Sequence, residues 1–121
     1  MGNRDAQEAQ EIVENYLYAI QSGDMELARS YWIDLNDPGG EWTLVAGRDM
    51  RHVTEGHRTA FASGFEITYS TFESFTSLKH EMGVLKLGVL AFPGKKLKKL
   101  EAGLVRHEGQ WYIYSIYPGT W

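Results

Sequence analysis

The sequence predicts an α+β domain in which helices from the first half of the chain cover one face of an antiparallel β-sheet built from the second half. Two observations predict these elements: an apolar stripe with helical period near the N-terminus, and four strand-like runs between Phe65 and Tyr117. Short turns join those runs, and parallel neighbours would need a crossover of a dozen or more residues. The strands therefore run antiparallel, and residues 1–121 form a single domain.

Apolar side chains recur at helical spacing in three segments before Phe65. The first helix, from about Ala6 to Gln21, carries the stripe Ala9, Ile12, Val13, Tyr16, Leu17 and Ile20. A shorter second helix begins at Asp24 and has Leu27, Ala28, Tyr31 and Trp32 on its inner face. The third, from Arg48 to about Ser63, carries Met50, Val53, His57, Ala60 and Phe61. A turn at 36–40 and a short strand over Glu41 to Ala46 are expected between the second and third helices.

The four strands differ in how their two faces are covered. The run from Phe65 to Phe75 alternates apolar and polar residues, which is typical of a half-buried strand. The run from Met82 to Phe92 is almost continuously apolar, which indicates burial on both faces. Leu97 to Arg106 alternates again, with Leu100, Ala102 and Leu104 on one side. Trp111 to Tyr117 closes the sheet with aromatic and β-branched residues.

Composition excludes several classes of partner and site. A net charge of −4 weighs against nucleic acid, and no apolar run is long enough to span a membrane. The chain has no cysteine, which removes disulfides and thiolate metal sites. The polar start shows no signal peptide, but removal of a leader would give the same start. A soluble protein is expected, and the compartment stays open between cytoplasm and export.

Two segments resemble a known family. The stretch from Val13 to Asp24, VENYLYAIQSGD, with Leu27-Ala28 and an aromatic pair after it, resembles the opening of the nuclear transport factor 2-like (NTF2-like, SnoaL-like) superfamily. Glu108 to Ile113, EGQWYI, is similar to its closing strand. The resemblance implies an NTF2-like cone, with three N-terminal helices packed on a strongly curved antiparallel sheet, and often a dimer through the outer sheet face. Its members include isomerases, dehydratases, epoxide hydrolases, cyclases, transport factors and domains without known activity, so the fold leaves the function open.

Two polar residues interrupt apolar faces and are candidate catalytic residues. His57 lies in the third-helix stripe, either as a neutral imidazole for acid–base chemistry or as a structural histidine with a satisfied partner. Glu73 is in register with Phe65 and Tyr69, and in that register its carboxyl group points to the apolar side and could act as an acid or base. Alternatively, a β-bulge near Thr71 or Phe72 turns Glu73 towards water.

The resemblance suggests a further interpretation of Tyr16. A steroid isomerase of the superfamily carries a tyrosine oxyanion donor at the matching place, and its general base is an aspartate before a proline, as in Asp37-Pro38. The spacing from Gly23-Asp24 is shorter here than in that enzyme. No acidic residue in the late strands matches its second donor, because Glu101 faces away from Leu100 and Ala102. The alternative is that Tyr16 is a core residue whose hydroxyl has one partner.

No metal or cofactor is expected. His52 and His57 lie about 140° apart around a helix that turns about 100° per residue, so they do not converge on one ion. The basic cluster from Lys95 to Lys99 is confined to one hairpin, where it protects a sheet edge.

The last strand predicts a second functional surface. Alternation places Tyr112, Tyr114 and Ile116 on one face and Trp111, Ile113 and Ser115 on the other. If the second set packs on the helices, the tyrosine face is outside and forms a homodimer interface. A tyrosine ladder that simply faces water is the alternative.

Two classes of function follow. In the first, His57 and Glu73 are the polar groups of an apolar pocket that binds a hydrophobic small molecule, with no reaction assigned; the expected lining residues are Tyr16, Trp42, Phe61 and Tyr69. A cofactor-free isomerase, dehydratase or cyclase would be an enzymatic version of this pocket. In the second class, aromatic side chains fill the cone and the protein is a dimerisation or protein-interaction module.

Overall fold

A computed structural model describes residues 2–33, 55–77 and 80–117. The elements are α1 (Gly2–Ser22), α2 (Met25–Ser30), β1 (Phe65–Ser77), β2 (His80–Ala91), β3 (Lys96–His107) and β4 (Gln110–Tyr117). Residues 55–60 are also helical and correspond to the last part of the predicted third helix. The predicted turn at 36–40, the strand from Glu41 to Ala46 and the pocket residue Trp42 lie outside the described residues.

The four strands form one antiparallel sheet in the order β1-β2-β3-β4, so every strand pairs with its neighbour in sequence. The prediction of an α+β domain with N-terminal helices and an antiparallel sheet is confirmed. The predicted stripe of α1 is its buried face, with Ala9, Val13, Tyr16, Leu17 and Ile20 inaccessible to solvent. Within the described segments, no helix combines the length and apolar character that crossing a membrane would require.

Local capping separates α1 from α2. Gly23 has φ of +83°, a conformation that glycine adopts without the steric cost of a Cβ atom. The next residue, Asp24, accepts a hydrogen bond from the backbone N–H of Leu27 at 3.1 Å and caps the start of α2. Gly23 and Asp24 therefore end α1 and start α2 within two residues.

The chain after α2 is fixed to the last strand by backbone hydrogen bonds. The N–H of Ile33 donates to the carbonyl of Ile113 at 2.9 Å, and the N–H of Ile113 donates to the carbonyl of Tyr31 at 2.8 Å. Trp32 lies between these two bonds, in a parallel bridge with Ile113. Its side chain is buried in the hydrophobic core.

A β-bulge in β1 changes which side chains face the helices. The pairing with β2 shifts between Ile67 and Tyr69, so the inward positions are Phe65 and Ile67 before the bulge and Ser70 and Phe72 after it. Ser70 donates a side-chain hydrogen bond to Gln10 of α1, which confirms the direction of this part of the strand. A single extra residue moves every later side chain of a strand to the opposite face.

Two predicted pocket residues are on the wrong face as a result. Glu73 and Tyr69 are exposed on the outer surface of the sheet, away from the helices. The inward orientation expected for Glu73 is wrong, and the alternative of a bulge is correct, although the bulge lies at Thr68 rather than near Thr71. Tyr69 cannot line a pocket beneath the helices for the same reason.

A second bulge changes the faces of β4. Gly103 pairs with Ser115 whereas Leu104 pairs with Ile113, which leaves Tyr114 as the extra residue. Ile116 consequently packs in the core with Trp111 and Ile113, and its predicted place in an outer interface is wrong. Tyr112 and Tyr114 are half-buried on the outer face, as expected.

Arg106, near the end of β3, joins α1 to the sheet. Its guanidinium group donates to Asp5 at 3.0 Å and to Glu81 at 2.8 Å, and it lies 5.2 Å from the ring centroid of Trp111. The hydrogen bond with Glu81, together with the charges of Asp5 and Glu8, raises the pKa of Arg106 even though burial opposes this. Trp111 Nε1 also donates to Asp5, at 3.4 Å. These contacts fix the first turns of α1 against β2 and β3.

Candidate functional site

The polar pair at the centre of the core consists of Tyr16 and His57. The Tyr16 hydroxyl and Nδ1 of His57 are 3.3 Å apart and share a hydrogen bond, in which the tautomer of the imidazole decides the donor. Both side chains are inaccessible to solvent. Apart from the tyrosine and tryptophan side chains, His57 is the only buried polar side chain among the described residues. The core thus contains two groups that can each act as a hydrogen-bond donor or acceptor.

Separate elements position the two members of this pair. Tyr16 belongs to the buried stripe of α1, and His57 belongs to the helical residues 55–60. The N–H of Phe61 donates to the carbonyl of His57 at 2.9 Å and closes the last turn of that segment. The pair therefore links elements 41 residues apart in sequence.

Aromatic rings surround the pair. Trp32 meets Tyr16 edge to face, with ring centroids 5.6 Å apart, and Phe61 lies 6.3 Å from the ring of His57. Phe61 in turn meets Phe65 of β1 at 5.8 Å. This cluster, called here the Tyr16–His57 cluster, contains Tyr16, Trp32, His57 and Phe61.

The indole nitrogen of Trp32 is an unusual member of this cluster. Trp32 is only 4% exposed, and its Nε1 has no hydrogen-bond partner within the part of the chain that the structure describes. Buried N–H groups are nearly always paired, because an unpaired one loses its hydrogen bond to water. The cluster thus contains one donor whose bonding capacity is unused.

The structure brings together only some of the residues predicted from sequence. His57, Tyr16 and Phe61 lie in one cluster. Glu73 and Tyr69 are on the opposite face of the sheet. Trp32 was predicted on the inner face of its helix but not as a site residue, because sequence does not reveal whether an indole N–H finds a partner.

The outer sheet face has its own groove, of about 320 Å³, lined by Tyr69, Lys86, Lys99, Leu100, Glu101 and Tyr117. The ring of Tyr69 lies directly over Gly88, and the ring of Tyr114 lies over Gly103, where a Cβ atom would be 2.6 Å from the ring. Burial of its hydroxyl raises the pKa of Tyr114 above the usual value of 10.0. Glycines beneath the rings let both tyrosines lie close to the sheet.

A larger groove, of about 540 Å³, lies between the helices and includes Tyr18, Gln21, Leu27 and Tyr31 in its lining. Its polar groups are uncharged amides and hydroxyls. No three or more histidine or acidic side chains come close enough to bind a metal ion in the segments described.

Comparisons with solved structures bear on the fold. A candidate dehydratase of the NTF2-like family from Streptomyces avermitilis aligns with 96% of this chain and 95% of its own, with 16% identity and a TM-score of 0.52. A candidate ketosteroid isomerase from Shewanella frigidimarina NCIMB 400 aligns over 90% and 92%, with 14% identity and a TM-score of 0.49. No protein-family model and no curated protein matches the chain. At such identities the likeness concerns the fold alone. It rests on the Streptomyces structure, which has the higher TM-score.

Proposed function

Because the chain has the NTF2-like fold, we propose that it binds an uncharged, largely apolar small molecule on the inner side of the sheet, against the Tyr16–His57 cluster. The observation that carries this proposal is the hydrogen bond between two fully buried polar side chains, at 3.3 Å, among core side chains that are otherwise apolar in the described part of the chain. Binding pockets for small molecules combine apolar walls with a few such polar groups.

Energetics supports a functional origin for the pair. Burying a hydroxyl and an imidazole costs desolvation free energy, and hydrogen bonds inside a protein return that cost only in part. Two apolar side chains of similar size would fill the same space without that cost. A pair that orients a ligand gives a reason for keeping these polar groups, since buried polar groups fix the orientation of a bound molecule.

An enzymatic version of this site would use His57 as the acid or base. Glu73, the other candidate acid or base, lies on the outer face, and none of the buried side chains described is a carboxylate. We therefore propose binding and assign no reaction. The competing function is a filled cone in which the aromatic rings of the cluster occupy the space and the hydrogen bond is structural.

A thermal-shift screen distinguishes these functions. The panel comprises steroids, terpenoids, fatty acids and polyketide-like aromatics, each measured with the wild type, Tyr16→Phe and Tyr114→Phe. A ligand at about a hundred times its Kd adds roughly 2.7 kcal/mol to stability, which raises Tm by several degrees for a domain of this size.

We expect a hit that weakens about tenfold in Tyr16→Phe, as loss of one buried hydrogen bond implies. The same hit should be unchanged in Tyr114→Phe, which loses the same atom from the outer face. A flat screen, or an equal response of both variants, would favour the filled cone.

We also propose that the outer sheet face forms a homodimer interface, with Tyr112 and Tyr114 in it. Tyr117 is 75% exposed there, and Phe75 and Leu97 are among the exposed large hydrophobic residues. Lys86 and Lys99 share this face with Glu73 and Glu101, so a second copy can oppose unlike charges across a two-fold axis. The rings of Tyr69 and Tyr114 lie over Gly88 and Gly103 and add apolar area to this face.

The oligomeric state tests this interface. Tyr117→Glu should turn a dimer into a monomer in analytical ultracentrifugation, because it places a charge in the apolar surface. Leu27→Glu, an exposed apolar residue on α2, is the matched control and should leave the dimer intact. A wild type that is monomeric at high micromolar concentration would exclude this interface.

A further inference from the structure

We infer that the indole N–H of Trp32 is the group that recognises the ligand, and that the ligand carries a neutral oxygen acceptor such as a ketone or ester carbonyl. This inference rests on the proposed function, because it assigns one contact within the proposed pocket. It concerns a residue outside the Tyr16–His57 hydrogen bond.

Trp32 Nε1 is buried without a partner in the described segments, although its ring packs edge to face on Tyr16 at 5.6 Å. Indole nitrogen can only donate, so a group that satisfies it must offer a lone pair. A ligand oxygen in the cluster would supply that lone pair and recover the hydrogen bond lost on folding.

The backbone that carries this donor is fixed. Backbone hydrogen bonds at Tyr31, Ile33 and Ile113 hold the chain on both sides of Trp32, and the N–H of Trp32 itself donates to the carbonyl of Arg29 at 3.1 Å. The backbone under the indole is therefore fixed, and the ring itself is buried against Tyr16. A donor held in this way costs little conformational entropy on binding, which is the condition for preorganised recognition.

The surroundings of Trp32 set the charge of the ligand. Trp32 packs on the phenol ring of Tyr16, the other two members of the cluster are an imidazole and a phenyl ring, and no lysine or arginine is among the buried side chains of the described residues. A carboxylate or phosphate would lose its hydration without a cationic partner to replace it. A neutral carbonyl loses much less, and its oxygen matches a single N–H donor.

A matched ligand pair tests the inference. Benzophenone and diphenylmethane have nearly the same shape, but only benzophenone has a carbonyl. Burial of apolar area alone favours the hydrocarbon, because the carbonyl must also be desolvated. With Trp32 as donor, we expect wild type to bind benzophenone about tenfold more tightly than diphenylmethane, as one buried hydrogen bond implies.

Two variants locate the effect. Trp32→Phe should abolish the preference for benzophenone. Trp111→Phe is the control, because Trp111 is equally buried but its Nε1 already donates to Asp5. It should keep the preference.

A second readout needs only the wild-type protein. In ¹H–¹⁵N spectra, benzophenone should move the indole N–H resonance of Trp32 downfield, whereas diphenylmethane should not. Equal binding of the two ligands, or an unshifted Trp32 resonance in the benzophenone complex, would overturn the inference and leave the proposed pocket standing. Failure of both ligands, together with a flat screen, would overturn pocket and inference together.

Discussion

Tyr16 and His57 share a hydrogen bond of 3.3 Å in a core where neither side chain touches solvent. The contact joins α1 to the helical residues 55–60. In the sequence, α2 and the segment after it lie between these two elements. Polar contacts of this kind define the relative position of helices more narrowly than apolar packing does, because a hydrogen bond has preferred distances and angles.

A double-mutant cycle should measure this coupling. Tyr16→Phe leaves His57 without the hydroxyl, and His57→Leu leaves the Tyr16 hydroxyl without the imidazole, so each should cost about 1–3 kcal/mol. The free energy of unfolding of the double variant should exceed the additive expectation by about 1 kcal/mol or more, because both single variants lose the same hydrogen bond. Urea unfolding of the four proteins gives the coupling. Additive effects would mean that the pair does not interact.

Arg106 should stabilise the attachment of α1 to the sheet. Arg106→Met keeps the aliphatic stem over Trp111 but removes the bonds to Asp5 and Glu81, so we expect a loss of about 1–2 kcal/mol in the free energy of unfolding. Arg4→Met is the control, because the Arg4–Glu8 pair is exposed and should contribute less than about 0.5 kcal/mol. Equal losses in urea unfolding would contradict the structural role of Arg106.

Gly83 should resist replacement by alanine. A Cβ at Gly83 would collide with the ring of Phe72, which packs edge to face on Trp111 at 5.5 Å and has little room to move. We expect Gly83→Ala to cost about 1–3 kcal/mol, the usual range for overpacking. At Gly94 the nearest atom to a new Cβ is the side chain of Lys96 at 3.7 Å, so Gly94→Ala should change stability little. Thermal unfolding compares the two.

Tyr114 should ionise late in an alkaline titration. Burial raises its pKa above 10.0 in the folded state, so the folded protein holds this proton to higher pH than the unfolded chain does. The resulting stability is complete below pH 10 and is lost as the pH rises through the folded pKa. Difference absorbance near 295 nm, measured with wild type and Tyr114→Phe, isolates this phenol. A Tyr114 transition at or below the ordinary value would contradict the burial.

The sequence was most informative where one face of an element is apolar and the other polar. The stripe of α1 and the inward positions of β3 were predicted correctly because polar residues mark their opposite faces. In β1, by contrast, Phe72 and Phe75 lie on opposite faces and both are aromatic, so alternation could not reveal the extra residue at Thr68. Glu73 was misplaced for that reason.

Contacts between residues far apart in the sequence were the second feature that the sequence could not predict. A bulge at Tyr114 depends on the pairing of β4 with β3, and it moved Ile116 from the predicted interface into the core. The contact of Asp5 with Arg106 spans 101 residues, and no local pattern signals it. His57 and Tyr16 could be selected because each is a polar group in an apolar stripe, but their mutual hydrogen bond appears only when two helices pack together.

The most direct test of the proposed pocket is the response of the His57 ring nitrogens to ligand. Long-range ¹H–¹⁵N spectra report the tautomer and the hydrogen bonds of each of the four histidines. We expect the best ligand from the thermal-shift screen to move the ring resonances of His57 and to leave those of His80 and His107 unchanged. A ligand that binds but leaves the His57 resonances in place would contradict a pocket at the Tyr16–His57 cluster.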